Sequence, residues 1–132
     1  MRLCLELLTI QIFFGLLAAQ CPAPNELKDE SGAKICARMF EDSHYIFEQS
    51  CGGKYLDAMN GDDVPFVPLL WNDRISSMVV SSRCEIRVWS NFPKSGENRK
   101  FSSGVYYQLK DYKNGLFDTW NNEISSYYCT CN

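Results

Sequence analysis

Two short stretches govern what this chain can fold into: WNDRISS at residues 71–77 and WNNEISS at residues 120–126. They stand 49 positions apart (120 minus 71) and share five of seven residues. The same offset carries Arg38 onto Arg87, Met39 onto Val88 and Phe40 onto Trp89. One offset that holds for two separated features implies a duplicated unit, because a supersecondary unit of this size buries its apolar face only against a neighbour. The halves run roughly over 34–82 and 83–131, with residues 21–33 as a lead-in.

Inside each half the patterning has period two, not the helical period. KICARMF (34–40) and CEIRVWS (84–90) alternate apolar and polar side chains. ISSMVV (75–80) and ISSYYC (124–129) are rich in β-branched and aromatic residues. The turn signals SGA, CGG, NGDD, KSGEN, SSG and KNG punctuate the chain. Only 106–117 admits a helical turn or two. The expectation is an all-β domain of two Greek-key motifs packed as a sandwich.

Residues 1–20 differ in kind from the rest. Arg2 opens a mostly apolar run from Leu7 to Ala19 that ends in small residues, the pattern of a secretory signal peptide cut after Ala19 or Gln20. The run is short for a membrane span, which needs ~20 apolar residues. Removing it takes away Cys4 and leaves six cysteines: Cys21, Cys36, Cys51, Cys84, Cys129 and Cys131. An even set in 112 residues (132 minus 20) predicts one disulfide-stapled domain in an oxidising, extracellular-type compartment. Cys129 and Cys131 share one face of a strand, so each should reach a different partner. Sequence alone leaves the pairing open. A net charge of -3 offers no basic field for nucleic acid.

The repeated element has the form N/D-N/D-x-x-S-S. Asn72, Asp73, Arg74 and Ser76 make one candidate set of oxygen donors, and Asn121, Asn122, Glu123 and Ser125 make the other. Such turns present side-chain oxygens and free backbone carbonyls together, which suits a hard cation such as calcium. Ile75 and Ile124 should point inward and hold the turn to the core, with Trp71 and Trp120 anchoring its other side. Capped turns that bind nothing use the same residue types. Asp73 is the one carboxylate among the four Asx side chains, so affinity should be weak, ~10⁻⁴ to 10⁻³ M.

Paired motifs of this kind resemble those of the calcium-binding βγ-crystallin domains. That resemblance implies a shared-ligand arrangement in which each ion touches both halves. It also implies an aromatic-x4-aromatic-x-Gly corner in each half. The first corner keeps Phe40 and Tyr45 but has Phe47 for Gly, and the second keeps Trp89 and Gly96 but has Lys94 for the second aromatic. From residue 21 onward the chain also resembles the syncollin family, through CPAP, CARMFEDS, VPFVPLLW, SSMVVSSRCEIRVWS, KFSSGVYYQL and SSYYCTCN. This second resemblance implies a non-enzymatic protein of the secretory (zymogen) granule lumen, peripheral on the granule membrane. It implies a link to calcium-regulated exocytosis, contact with membrane lipids or proteins, and homo-oligomers. The alternatives are a membrane-active, pore-forming oligomer and a structural crystallin-type domain whose ion sites have decayed.

The remaining candidates are few. His44 is the single histidine, and no nucleophile-base constellation accompanies it. KSGENRK (94–100) gathers Lys94, Arg99 and Lys100 as a candidate site for anionic lipid headgroups, against the plainer alternative of a solvated hairpin tip. VPFVPLLW (64–71) is an apolar run broken by Pro65 and Pro68, either packed on the core or exposed as a membrane or oligomer contact.

Overall fold

The computed structural model describes residues 21–44 and 49–132. The proposed leader, residues 1–20, and Tyr45 and Phe47 of the first corner lie outside the described residues. Among the described residues eight strands follow in chain order: β1 Ala37–His44, β2 Gln49–Ala58, β3 Asp63–Val64, β4 Ser77–Asn91, β5 Ser95–Tyr106, β6 Lys113–Asn114, β7 Asp118–Thr119 and β8 Ser126–Cys131. Single 3-10 turns stand at Pro24–Glu26 and Leu109–Asp111. The second falls inside the segment where the sequence admitted a helical turn.

Six of the strands form a curled antiparallel sheet whose two arms share β4, and β6 and β7 pair separately as a short hairpin. The first part of β4 pairs with β1, from Ala37↔Val80 to Phe40↔Ser77, and with the end of β5, from Met78↔Tyr106 to Val80↔Gly104. Its second part pairs with the start of β5, from Glu85↔Ser102 to Trp89↔Asn98, and with β8, from Cys84↔Cys131 to Trp89↔Ser126. β2 extends the first arm beside β1, and β3 extends the second beside β8. Thus β3, from the first half, sits in the second arm. The end of β5, from the second half, sits in the first. The exchange joins the two Greek keys, and the sequence boundary at 82/83 falls inside β4.

Between the arms lies one main core. Met39, Ile75, Met78, Val80, Ile86, Ile124 and Trp120 are all buried in it. Along β4, Cys84, Ile86 and Val88 point inward while Arg87 faces solvent, the alternation expected of a strand with one covered face. A smaller cluster of Leu27, Ile35, Phe40, Cys51 and Val79 sits under the lead-in.

Three disulfides fasten this arrangement. Cys21–Cys51 ties the lead-in to β2, Cys36–Cys129 ties the entry of β1 to β8, and Cys84–Cys131 joins β4 to β8. Cys129 and Cys131 do reach different partners. The second corner shows why Gly96 stands where it does: its φ is +76°, and a Cβ there would lie 2.6 Å from Asn91 Nδ2 and 2.7 Å from Ser90 Oγ.

Cys36 and Cys129 close the longest loop, with a sequence separation of 93 residues. The double variant Cys36→Ala/Cys129→Ala should therefore lose about 4 kcal/mol of stability, measured by guanidinium unfolding of the oxidised mature domain. A loss below about 1 kcal/mol would show that this bond does not fasten β8 to the first half.

Candidate ion-binding site at the paired motifs

The backbone repeats the 49-residue offset. Ser76 N–H donates to the Phe40 carbonyl at 2.9 Å, and Ser125 N–H donates to the Trp89 carbonyl at 2.9 Å. Each motif is thereby pinned to the first strand of its own half. Asp73 and Asn122, the second Asx of each pair, hold φ +62° and +59°, a left-handed turn that short Asx side chains tolerate. Ile75 and Ile124 have no exposed surface and contribute about 1.5–3 kcal/mol each by burial. Trp120 is buried, whereas Trp71 is half-buried and packs on the edge of the core.

The serine pairs divide the work. The second serine of each pair serves the hairpin of its half: Ser77 Oγ accepts from Cys51 N–H at 2.9 Å, and Ser126 Oγ accepts from Lys94 N–H at 3.0 Å. Ser126 Oγ also donates to the Pro65 carbonyl at 2.8 Å. The first serine of each pair bonds elsewhere. Ser76 Oγ donates to the Glu41 carbonyl at 2.7 Å, and Ser125 Oγ donates across the halves to Asn72 Oδ1 at 3.0 Å. A second link crosses in the other direction, from Asn122 N–H to the Ile75 carbonyl at 2.9 Å.

Asn121, the counterpart of Asn72 under the offset, is placed differently. Its Oδ1 is buried and lacks a hydrogen-bond partner among the described residues. Such an acceptor is costly unless a hydrogen-bond donor, a water or a cation meets it. Charge also gathers nearby. The Glu123 carboxyl is raised above its ordinary value, first by partial burial and then by the negative charges of Asp118 and Asp73. The negative charges of Asp118 and Asp73 thus reach Glu123 from β7 and from the first motif. The oxygen types are those a hard cation takes, carboxylate, amide and hydroxyl, but Asp73, Asp118 and Glu123 do not converge as one ligand group among the described residues. Asp118 was not marked by the motif, which it precedes, and it enters only through its charge on Glu123. Arg74 is exposed beside the site.

The three candidate lipid-binding cations do not form one cluster. Lys94 Nζ pairs with Asp63 at 2.8 Å and stands 5.8 Å from the centre of the Trp89 ring, in the corner position of the missing aromatic. The Arg99 guanidinium lies 5.3 Å and 5.1 Å from the centres of Phe101 and Tyr112. Lys100 faces the opposite side of β5, with Nζ 3.4 Å from Glu85. Strand alternation separates neighbours in sequence. In the apolar run, Val67 is buried while Phe66, Leu69 and Leu70 are exposed, and Phe66 stacks on Phe92 with ring centres 5.4 Å apart.

Known proteins share both the fold and the chain. The βγ-crystallin domain of the Abundant Perithecial Protein from Neurospora crassa, in its Ca2+-bound form, superposes with a TM-score of 0.57 at 15% identity, covering 85% of this chain and 97% of that one. An archaeal βγ-crystallin gives a TM-score of 0.52 at 27% identity, covering 70% of this chain and 93% of that one. Rat syncollin is 42% identical over 131 residues, covering 98% of this chain and 97% of the rat protein. Human syncollin is 41% identical over 111 residues, covering 84% of this chain and 83% of the human protein. The syncollin family profile matches residues 20–131, and the chain accordingly belongs to the syncollin family, on a βγ-crystallin fold.

Proposed function

We propose that this is a non-enzymatic protein of the secretory-granule lumen, held peripherally on the granule membrane, whose attachment to membrane or partner proteins responds to calcium during regulated secretion. The observation that carries the calcium part is the buried Asn121 Oδ1, which has no hydrogen-bond partner among the described residues and stands two residues before Glu123, whose carboxyl feels the charges of Asp118 and Asp73. Asn72, Asp73, Ser76, Asn121, Asn122, Glu123 and Ser125 would hold the ion, with Arg74 contributing its carbonyl. Bound calcium would neutralise the negative charge around Glu123 and draw the two motifs together. The Neurospora domain, which has this fold, is known in a Ca2+-bound form. Family membership and three disulfides support a place in the secretory pathway.

A second observation favours direct membrane contact, including the pore-forming alternative. The loops leading into the two motifs carry large apolar side chains in solvent: Leu69 at 93% and Phe117 at 99% exposure, with Leu70 and Leu116 beside them. Surface apolar groups of this size mark contact sites when they cluster. The triple change Leu69→Ser, Leu70→Ser and Phe117→Ser should leave the melting temperature unchanged and weaken co-sedimentation with anionic liposomes about tenfold or more. Unchanged co-sedimentation would remove these loops from membrane binding.

Calcium titration of the mature domain by isothermal calorimetry should give dissociation constants of ~10⁻⁴ to 10⁻³ M. Asn121→Ala should abolish part of that heat. Absence of heat up to several millimolar calcium would leave a crystallin-type fold with decayed sites.

Glu123 adds a pH signature. Its carboxyl is raised above the ordinary value of 4.5 in the folded state, so its ionisation disfavours folding. That destabilisation is absent below the unfolded value, sets in as pH rises through it, and is complete above the folded value. Glu123→Gln should therefore raise the calcium-free melting temperature at pH 7 and leave it unchanged near pH 3. Added calcium should diminish the difference at pH 7. A melting temperature at pH 7 equal to that of the parent would mean that neither burial nor the neighbouring carboxylates disfavour the Glu123 charge.

A further inference from the structure

Away from the paired motifs, the strand register sets Lys100 of β5, Arg87 of β4 and Tyr128 of β8 in one row across the second arm. The neighbouring row is Ser102, Glu85 and Thr130. Ile86 and Val88 are buried, so Arg87 between them faces outward. Glu85, Arg87, Lys100, Tyr128 and Thr130 line a cavity of about 210 Å³.

Arg87 and Lys100 are directly opposed like charges on adjacent strands, an arrangement that destabilises a sheet. Compensation is incomplete. Lys100 Nζ lies 3.4 Å from Glu85 Oε2. Arg87 Nη1 donates at 2.7 Å to Asn98 Oδ1, a neutral oxygen, and among the described residues the guanidinium has no carboxylate partner. The row continues to Asp63, but that carboxylate pairs with Lys94 at 2.8 Å. The cavity thus holds one net positive charge, Arg87 and Lys100 against Glu85.

We propose that this cavity binds a sulfate monoester carried on a sugar ring. The guanidinium fork suits a planar pair of anionic oxygens, and the Nη1 bond to Asn98 Oδ1 restricts its orientation. Lys100 supplies the second cation. Tyr128, 40% exposed, offers a flat apolar wall to a ring face. Glu85 accepts from ring hydroxyls, and Thr130 can donate or accept. A sulfate ester carries one charge and matches the cavity. A phosphate monoester carries about -1.5 to -2 at pH 7 and would leave negative charge uncompensated beside Glu85. The site lies on the outer face of the sheet and does not depend on calcium.

The test is calorimetry in EDTA on the mature chain with its three disulfides intact. The probes are N-acetylglucosamine 6-sulfate, the unsulfated sugar and the 6-phosphate. The sulfated sugar should bind, the unsulfated sugar should bind about tenfold more weakly or worse, and the phosphate should bind more weakly than the sulfate. Arg87→Gln should weaken the sulfated sugar about tenfold with no loss of melting temperature, since it removes one of two opposed cations. Lys110→Gln, an exposed lysine outside the cavity, should change nothing. If Arg87→Gln does not fold, Lys100→Gln takes its place. Equal binding of sulfated and unsulfated sugar, phosphate bound at least as tightly as sulfate, or equal losses in the cavity variant and in Lys110→Gln would each overturn the proposal.

Discussion

Two backbone hydrogen bonds organise this molecule: Ser76 N–H to the Phe40 carbonyl and Ser125 N–H to the Trp89 carbonyl. Each fastens a motif turn to the first strand of its half. Everything at the site follows from that placement. The isoleucine before the serine goes into the core, the second serine reaches the hairpin, and the left-handed Asx residue before the isoleucine faces outward. An N-D or N-N pair suits that turn because short Asx side chains tolerate positive φ better than bulkier residues.

The halves are similar in backbone and unequal in chemistry. Asn72 Oδ1 is satisfied by Ser125, while Asn121 Oδ1 has no such partner among the described residues. Trp120 is fully packed and Trp71 is not. The second corner keeps its glycine and substitutes a cation over Trp89 for the usual ring. Strands and turns can match closely under a duplication while charges drift, since backbone geometry constrains only a few positions in each unit.

Much of the fold was legible in the sequence, for a physical reason. Period-two alternation in 34–40 and 84–90 reports directly on a half-buried strand, and the repeat offset survived as paired hydrogen bonds. The seven residues of each Trp-led stretch marked the candidate site. Less legible was whatever depends on pairing between distant strands. That β4 runs unbroken through the repeat boundary, that Asp118 adds its charge to Glu123, and that Arg87 stands beside Lys100 are matters of register and hairpin geometry. Lys94, Arg99 and Lys100 look like one cluster on paper, yet alternation and the corner turn send them to three different surroundings.

The exchange of strands across β4 has a consequence for how the domain comes apart. Because β3 of the first half is hydrogen-bonded to β8, and the end of β5 is hydrogen-bonded to the first part of β4, neither Greek key owns a complete sheet. Losing one half strips pairing from the other, so the two keys share a single cooperative free energy even though the sequence writes them as two repeated units. Anything that stabilises one face of the molecule, whether ion or disulfide, is therefore felt by the whole domain.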